Sequence, residues 1–338
     1  MTAFDDAAQR VRDGGDAVDE AEALVAQLDL DELLGVLDGD APFWPGLTDM
    51  TAGGYYRHPW PAAVVERLGI PGLRFSDGPR GVVIGAATCF PVSMARGAAF
   101  DVELEVEIGR AIGRELRASG ATFYGGVCVN LLRHPGWGRA QETYGEDPHH
   151  VGELGAALTR GVQEHAMACV KHFACNSMEN ARFSVDVTAD ERALHEVYLP
   201  HFRRVVDEGV ASVMSAYNSL NGEWCGDSTS LLTDVLRGEW GFEGFVITDF
   251  IFGLRDPVAG VRCGLDVEMP FRQQRAAALP AAVERGELDR ADLEAPATRT
   301  IATLLRFADV LAEPAPEASV IACDEHRALA RRAAQESI

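Results

Sequence analysis

From about residue 72 onward the chain alternates short apolar runs with amphipathic helical stretches, and that alternation confines it to a parallel α/β fold. The strand-like runs are 72–75, 127–131, 167–170, 211–215, 244–248 and 261–265. Between them, Leu104, Ile108, Ile112 and Leu116 recur every four residues behind Asp101, which reads as an N-cap. Thr188-Ala189-Asp190-Glu191 has the form of a capping box opening a helix through Leu194, Val197, Phe202 and Val205, with Gly209 as its stop. Pro200 inside that helix predicts a kink. Two architectures fit, a (β/α)8 TIM-type barrel and an open doubly wound sheet. Polar residues follow most of the runs: Asp77, Arg133, Lys171, His172, Tyr217, Asn218, Asp249 and Asp266. A barrel gathers such residues on one rim, whereas an open sheet gathers only those near its switch point. The barrel is the expectation.

The barrel spans 65–312, preceded by an acidic helical leader over 1–64 with helical pieces at 21–28 and 30–37. Residues 313–338 read as a Pro-rich linker and a helix with nothing to pack on, an approach to a second domain that the sequence does not reach. The net charge of −22 argues against nucleic-acid or anionic-membrane partners, which would repel it. No run of about 18 apolar residues suggests a membrane span, and the acidic start lacks the features of a signal peptide. Seven cysteines without a CxxC pair fit reduced thiols and a cytoplasmic setting, with no metal site.

Five segments carry chemistry. Asp249 ends the 244–248 run and is followed by Phe250; it reads either as a helix N-cap or as a reactive acid beside an apolar platform. Lys171 and His172 are next. The lysine suits a Schiff-base amine, a fixed cation for substrate oxygens, or a plain ion pair. Arg139 sits among glycine-rich turns with Glu142, Glu146 and Asp147, the last two expected in a loop-stabilising salt-bridge knot. Asp77-Gly78-Pro79 is a turn first and a ligand candidate by its position. Tyr217 brings a phenol to the same rim.

Taken together these segments resemble the N-terminal barrel of glycoside hydrolase family 3, the β-glucosidase family. The matching stretches are Asp77-Gly-Pro-Arg-Gly81, Gly138-Arg139 with Glu142 and Glu146-Asp147-Pro148, Lys171-His172-Phe173 with Asn176 and Arg182, Met214-Ser-Ala-Tyr217-Asn218, and 232–249. The resemblance implies a retaining β-glycosidase of β-glucosidase type, with Asp249 as nucleophile and no metal or organic cofactor. It implies a hydroxyl-binding set of Asp77, Arg139, Lys171, His172 and Arg182, with Tyr217 near the nucleophile. Two positions depart from the family pattern. Phe250 stands where tryptophan is usual, and Val83 where many members have arginine, so stacking at the sugar edge differs. After Lys171-His172 the chain reads Phe-Ala-Cys-Asn, without the loop histidine that serves one branch as acid/base. In the glucosidase branch that acid/base is a glutamate in a C-terminal domain, here expected to be missing, and the surface it would cover is expected to favour a homodimer. A Schiff-base lyase or aldolase using Lys171 and a non-catalytic sugar-binding scaffold are the alternatives.

Overall fold

Strands covered on both faces carry no polar alternation, because both sides of the pleat meet apolar neighbours. The computed structural model describes residues 1–338. Of its strands Leu73–Ser76 (β1), Phe123–Cys128 (β2), Met167–Phe173 (β3) and Ser212–Ser215 (β4), the last three follow that rule and are buried at every residue, while β1 exposes Arg74. The chain forms two units. The first comprises Met1–Gly54, Trp60–Arg74 and Gly226–Glu313; the second comprises Tyr55–Pro59, Phe75–Cys225 and Pro314–Ile338.

In the second unit the Phe75–Ser76 end of β1 and strands β2 to β4 pair in parallel in chain order, with Phe75 opposite Phe123, Phe123 opposite Met167 and Cys169 opposite Ser212. Helices Val102–Ala118 (α1), Pro148–Gln163 (α2) and Pro200–Asp207 (α3) alternate with these strands, α1 packing on α2 and α2 on α3. Asp101 caps α1, accepting from the Leu104 N–H at 3.0 Å, and Leu104, Ile108, Ile112 and Leu116 are all buried. A cap of this kind is worth about 1 kcal/mol. The β2–β3 register shifts between Tyr124 and Val127, where Gly125 and Gly126 leave room for the Phe75 and Tyr124 rings.

Several local expectations change. The 127–131 run is only the end of a strand that begins at Phe123 and stops at Cys128; past it the Asn130 side chain, rather than its backbone, bonds the His172 N–H and carbonyl. The helix after residue 188 is capped by Asp190, not Thr188: its carboxylate accepts from the Ala193 N–H at 2.7 Å. Pro200 does not kink a continuous helix. A π-helical turn over Leu194–Tyr198 ends before it, and Pro200 opens α3, where its missing N–H costs nothing. The terminal helix Asp324–Glu336 does pack, against α1 and the short helix Ser93–Ala98. His326 and Ala333 are buried there, and His326 Nδ1 lies 2.7 Å from Glu115 Oε1.

In the first unit, Phe245–Ile247 (β5) bridges in parallel to Val267, Asp38 to Glu268, and Ala41–Pro42 to Phe271–Arg272. Helix Ala17–Val25 packs on Arg290–Arg306, burying Ala21, Leu24 and Val25 of the acidic leader. The 261–265 run is not a strand. Asp256 caps a helix over Pro257–Arg262, Gly264 at φ +99° turns the chain, and the extended bridging residues come after it. Asp266 therefore serves the fold rather than a rim. It is fully buried and accepts from the Val246 N–H, Arg237 and Arg299 at 2.6–2.8 Å. The main strands keep the expected parallel α/β construction, while the short strands Ser219–Leu220 and Glu223–Trp224 pair antiparallel.

Candidate functional site

Four of the expected residues meet in the second unit, at or just past the C-terminal ends of β1 and β3 and in the 133–147 loop. Asp77 follows β1, and Gly78 after it, at φ +137°, turns so tightly that a Cβ would strike the Gly81 carbonyl. The turn aims the Asp77 carboxylate at Lys171, whose Nζ donates to Oδ1 at 2.5 Å; the Gly78 N–H adds a bond to Oδ1 at 2.7 Å. Tyr55 donates its hydroxyl to Oδ2 at 2.6 Å. Lys171 is 1% exposed and the Asp77 side chain 22%, so the carboxylate is the member of the pair that faces outward. Burial pushes Asp77 up, but Lys171, Tyr55 and Arg139 outweigh it and hold the carboxyl below its usual range. Burial likewise opposes the charge of Lys171, and Asp77 overcomes this, leaving the ammonium above its ordinary value. That is the reverse of what a Schiff-base lysine needs, since such an amine must be neutral to attack.

Arg139 is held by Glu142 through a bidentate pair, Nε–Oε1 2.9 Å and Nη2–Oε2 2.7 Å. Its remaining Nη1 lies 3.0 Å from His172 Nε2. A guanidinium only donates, so Nε2 accepts and the imidazole carries its proton on Nδ1, 3.1 Å from Asn130 Oδ1. Asn130 also accepts from the His172 N–H and donates to its carbonyl, both at 2.8 Å. Burial, then Arg139, Lys171 and Arg182, drive the His172 pKa well down. The expected knot of Glu146 and Asp147 is not what orients this loop. Glu142 does that, while Asp147 caps α2 through the His150 N–H at 2.8 Å.

Arg182 pairs with Glu179 at 3.0 Å and stacks on Phe183 and Tyr217, its Cζ 4.7 and 4.8 Å from their ring centres. Glu179 also accepts from Trp137 Nε1 at 3.3 Å, so the two loops that frame the cluster are tied together. Asn176, in the same stretch, is 1% exposed and neither of its amide atoms has a partner in the chain. Such an arrangement presents a carboxylate, an ammonium, two guanidinium groups and a neutral imidazole within one rigid frame. It suits a ligand rich in hydroxyl groups, which can donate to Asp77 and accept from the cations.

In the first unit Asp249 follows β5 and is 7% exposed. Its Oδ1 accepts from the Phe250 N–H at 2.8 Å, while Thr248 Oγ1 accepts from the Met269 N–H at 2.9 Å. Gly253 closes the turn, its N–H on the Asp249 carbonyl at 3.1 Å. Asp249 is not a helix cap, since Asp256 caps the next helix. Its remaining reading is a rigid acid at a strand end. Tyr55 is the residue that sequence reasoning missed, because an aromatic pair between Gly54 and Pro59 has no periodicity and no acidic neighbour to flag it.

The model of the glycosyl hydrolase family 3 N-terminal domain matches residues 57–303. Thermostable beta-glucosidase B of Acetivibrio thermocellus is 37% identical over 295 residues, covering 82% of this chain and 38% of that protein. A beta-glucosidase of Rhizobium radiobacter is 38% identical over 289 residues, with 82% and 35% covered. Beta-glucosidase 3B from Thermotoga neapolitana, solved in complex with glucose, superposes with a TM-score of 0.83 at 31% identity, covering 95% of this chain and 47% of that one. The chain thus spans less than half the length of these relatives.

Proposed function

Because the chain belongs to glycosyl hydrolase family 3, we propose that it carries the sugar-binding and nucleophilic part of a retaining β-glucosidase. The observation that carries the reading is the Asp77–Lys171 pair, a charged group open to ligand and backed by the Arg139–His172 contact. In this reading Asp77, Arg139, Lys171, His172 and Arg182 hold the hydroxyls of a terminal β-linked sugar, Tyr217 lies at the edge, and Phe250 borders the nucleophile. Asp249 attacks C1, the bond from C1 to the leaving oxygen breaks, and a glycosyl-aspartate forms; water then releases the sugar and restores the carboxylate. No metal or organic cofactor enters these steps. The proton for the leaving oxygen comes from an acid outside the groups named here, in the part of such proteins that these 338 residues do not span. The (β/α)8 barrel, a cytoplasmic setting for the seven free thiols and homodimer formation belong to the same proposal.

The test needs no acid catalyst. A 2,4-dinitrophenyl 2-deoxy-2-fluoro-β-glucoside has a leaving group that departs unprotonated, and its fluorine slows release of the intermediate. Mass spectrometry of the treated chain should find the fluoroglucosyl group on Asp249, and none in Asp249→Asn. An adduct on another residue, or none in the wild type, would overturn the reading.

A further inference from the structure

We propose that Tyr55 is a positioning residue of the sugar-binding cluster, its hydroxyl fixing the rotamer and the ionised state of Asp77 so that one acceptor site stays open to a sugar hydroxyl. The inference rests on the glycosidase reading for the ligand, though not for the geometry. An ionised carboxylate offers about four acceptor positions. At Asp77 three are taken, two on Oδ1 by Lys171 Nζ and the Gly78 N–H, and one on Oδ2 by Tyr55. The side that remains is on Oδ2. Lys171 and the Gly78 N–H hold Oδ1 and Tyr55 holds Oδ2, so the carboxylate plane is pinned at both oxygens and the open position on Oδ2 points in one direction.

Tyr55 is itself anchored. It lies in Tyr55–Pro59, a five-residue stretch that belongs to the second unit although its flanking residues belong to the first. The Tyr56 carbonyl accepts from the Gly85 N–H at 2.9 Å, and the Tyr55 and Tyr56 rings meet edge to face at 5.3 Å. Tyr55 is half-buried, so its hydroxyl bond to an ionised group is partly shielded from water and is stronger than a surface one. The phenol also favours the ionised carboxylate, because it donates to the charged form.

The experiment compares the 338-residue chain with Tyr55→Phe, and with Tyr56→Phe as a control that keeps its ring. Two quantities are read: the Asp77 titration by carboxyl 13C NMR without sugar, and glucose affinity by calorimetry near pH 6. Tyr55→Phe should move the Asp77 titration upward and weaken glucose binding about tenfold, the usual consequence of losing one hydrogen bond to a charged group. Tyr56→Phe should change neither. An unmoved Asp77 titration in Tyr55→Phe would overturn the proposed role. A moved titration with unchanged affinity would overturn its link to the ligand. If the wild type binds no glucose, the sugar reading fails, and the titration still decides what Tyr55 does to Asp77.

Discussion

Arg139 Nη1 stands 3.0 Å from His172 Nε2, and a cation that can only donate thereby holds a histidine neutral. Asn130 completes the arrangement from the other side, receiving the Nδ1 proton. The imidazole is therefore a fixed neutral group with one defined tautomer, unlike a histidine that relays protons.

His172 should not titrate across the range in which an ordinary histidine does. With burial, Arg139, Lys171 and Arg182 all pushing its pKa down, 15N NMR should show a neutral ring protonated at Nδ1 from pH 7 to about 5.5, below the usual midpoint. Appearance of the imidazolium signature in that range would refute the assignment. Arg139→Leu should raise the His172 titration, because it removes the adjacent positive charge.

Lys171 and Asp77 should behave as a coupled pair. Lys171→Met leaves the Asp77 carboxylate without its main counter-charge, so the Asp77 pKa should rise and thermal stability should fall. Adding Asp77→Asn should recover much of the lost stability, since the unpaired charge is gone. Neither variant should bind glucose as the wild type does, with affinity down about 10²-fold from lost charge-assisted bonds. A purely structural pair would instead give a double variant with both stability and affinity restored.

Glu115 should anchor the terminal helix. Its carboxylate accepts from the Thr88 N–H at 2.7 Å, the Thr88 hydroxyl at 2.6 Å, the Ala322 N–H at 2.9 Å and His326 Nδ1 at 2.7 Å. Burial alone would raise its pKa, but these bonds lower it. A carboxyl lowered in the folded state adds stability above the unfolded pKa and loses it as pH falls through the folded value. Glu115→Gln should cost about 3 kcal/mol at pH 7 and less in acid. Chemical denaturation at both pH values measures the difference.

Asp38 has the opposite sign. Burial, then the neighbouring Glu268, push its carboxyl well above the ordinary range, and its Oδ1 has no hydrogen-bond partner. A group raised in the folded state holds its proton there, so its effect on stability is absent in acid and turns unfavourable as pH rises past the unfolded value. Asp38→Asn should therefore gain on the wild type steadily from about pH 4 upward. A constant difference between the two proteins across pH would contradict this placement.

Local physics in the sequence was enough for the parallel α/β class, the buried stripe of α1 and its Asp101 cap, because each depends on residues a few positions apart. The segments bearing Asp77, Arg139, Lys171, His172, Arg182, Tyr217 and Asp249 were legible through their order and spacing, which resemble the family's, since local physics alone left each of them open between a structural and a chemical reading. Tertiary structure decided what those residues touch. Asp266 and Asp249 both lie at the ends of apolar runs, yet Asp266 is consumed by Arg237 and Arg299, which come from far along the chain. Val261–Leu265 is apolar enough for a strand, but Asp256-Pro257 starts a helix there first and Gly264 stops it. The terminal helix found its partner in Glu115, more than two hundred positions upstream. Tyr55 reached Asp77 across 22 positions. A hydrogen bond between distant residues depends on where the backbone brings two atoms within about 3 Å, and no pattern of nearest neighbours encodes that.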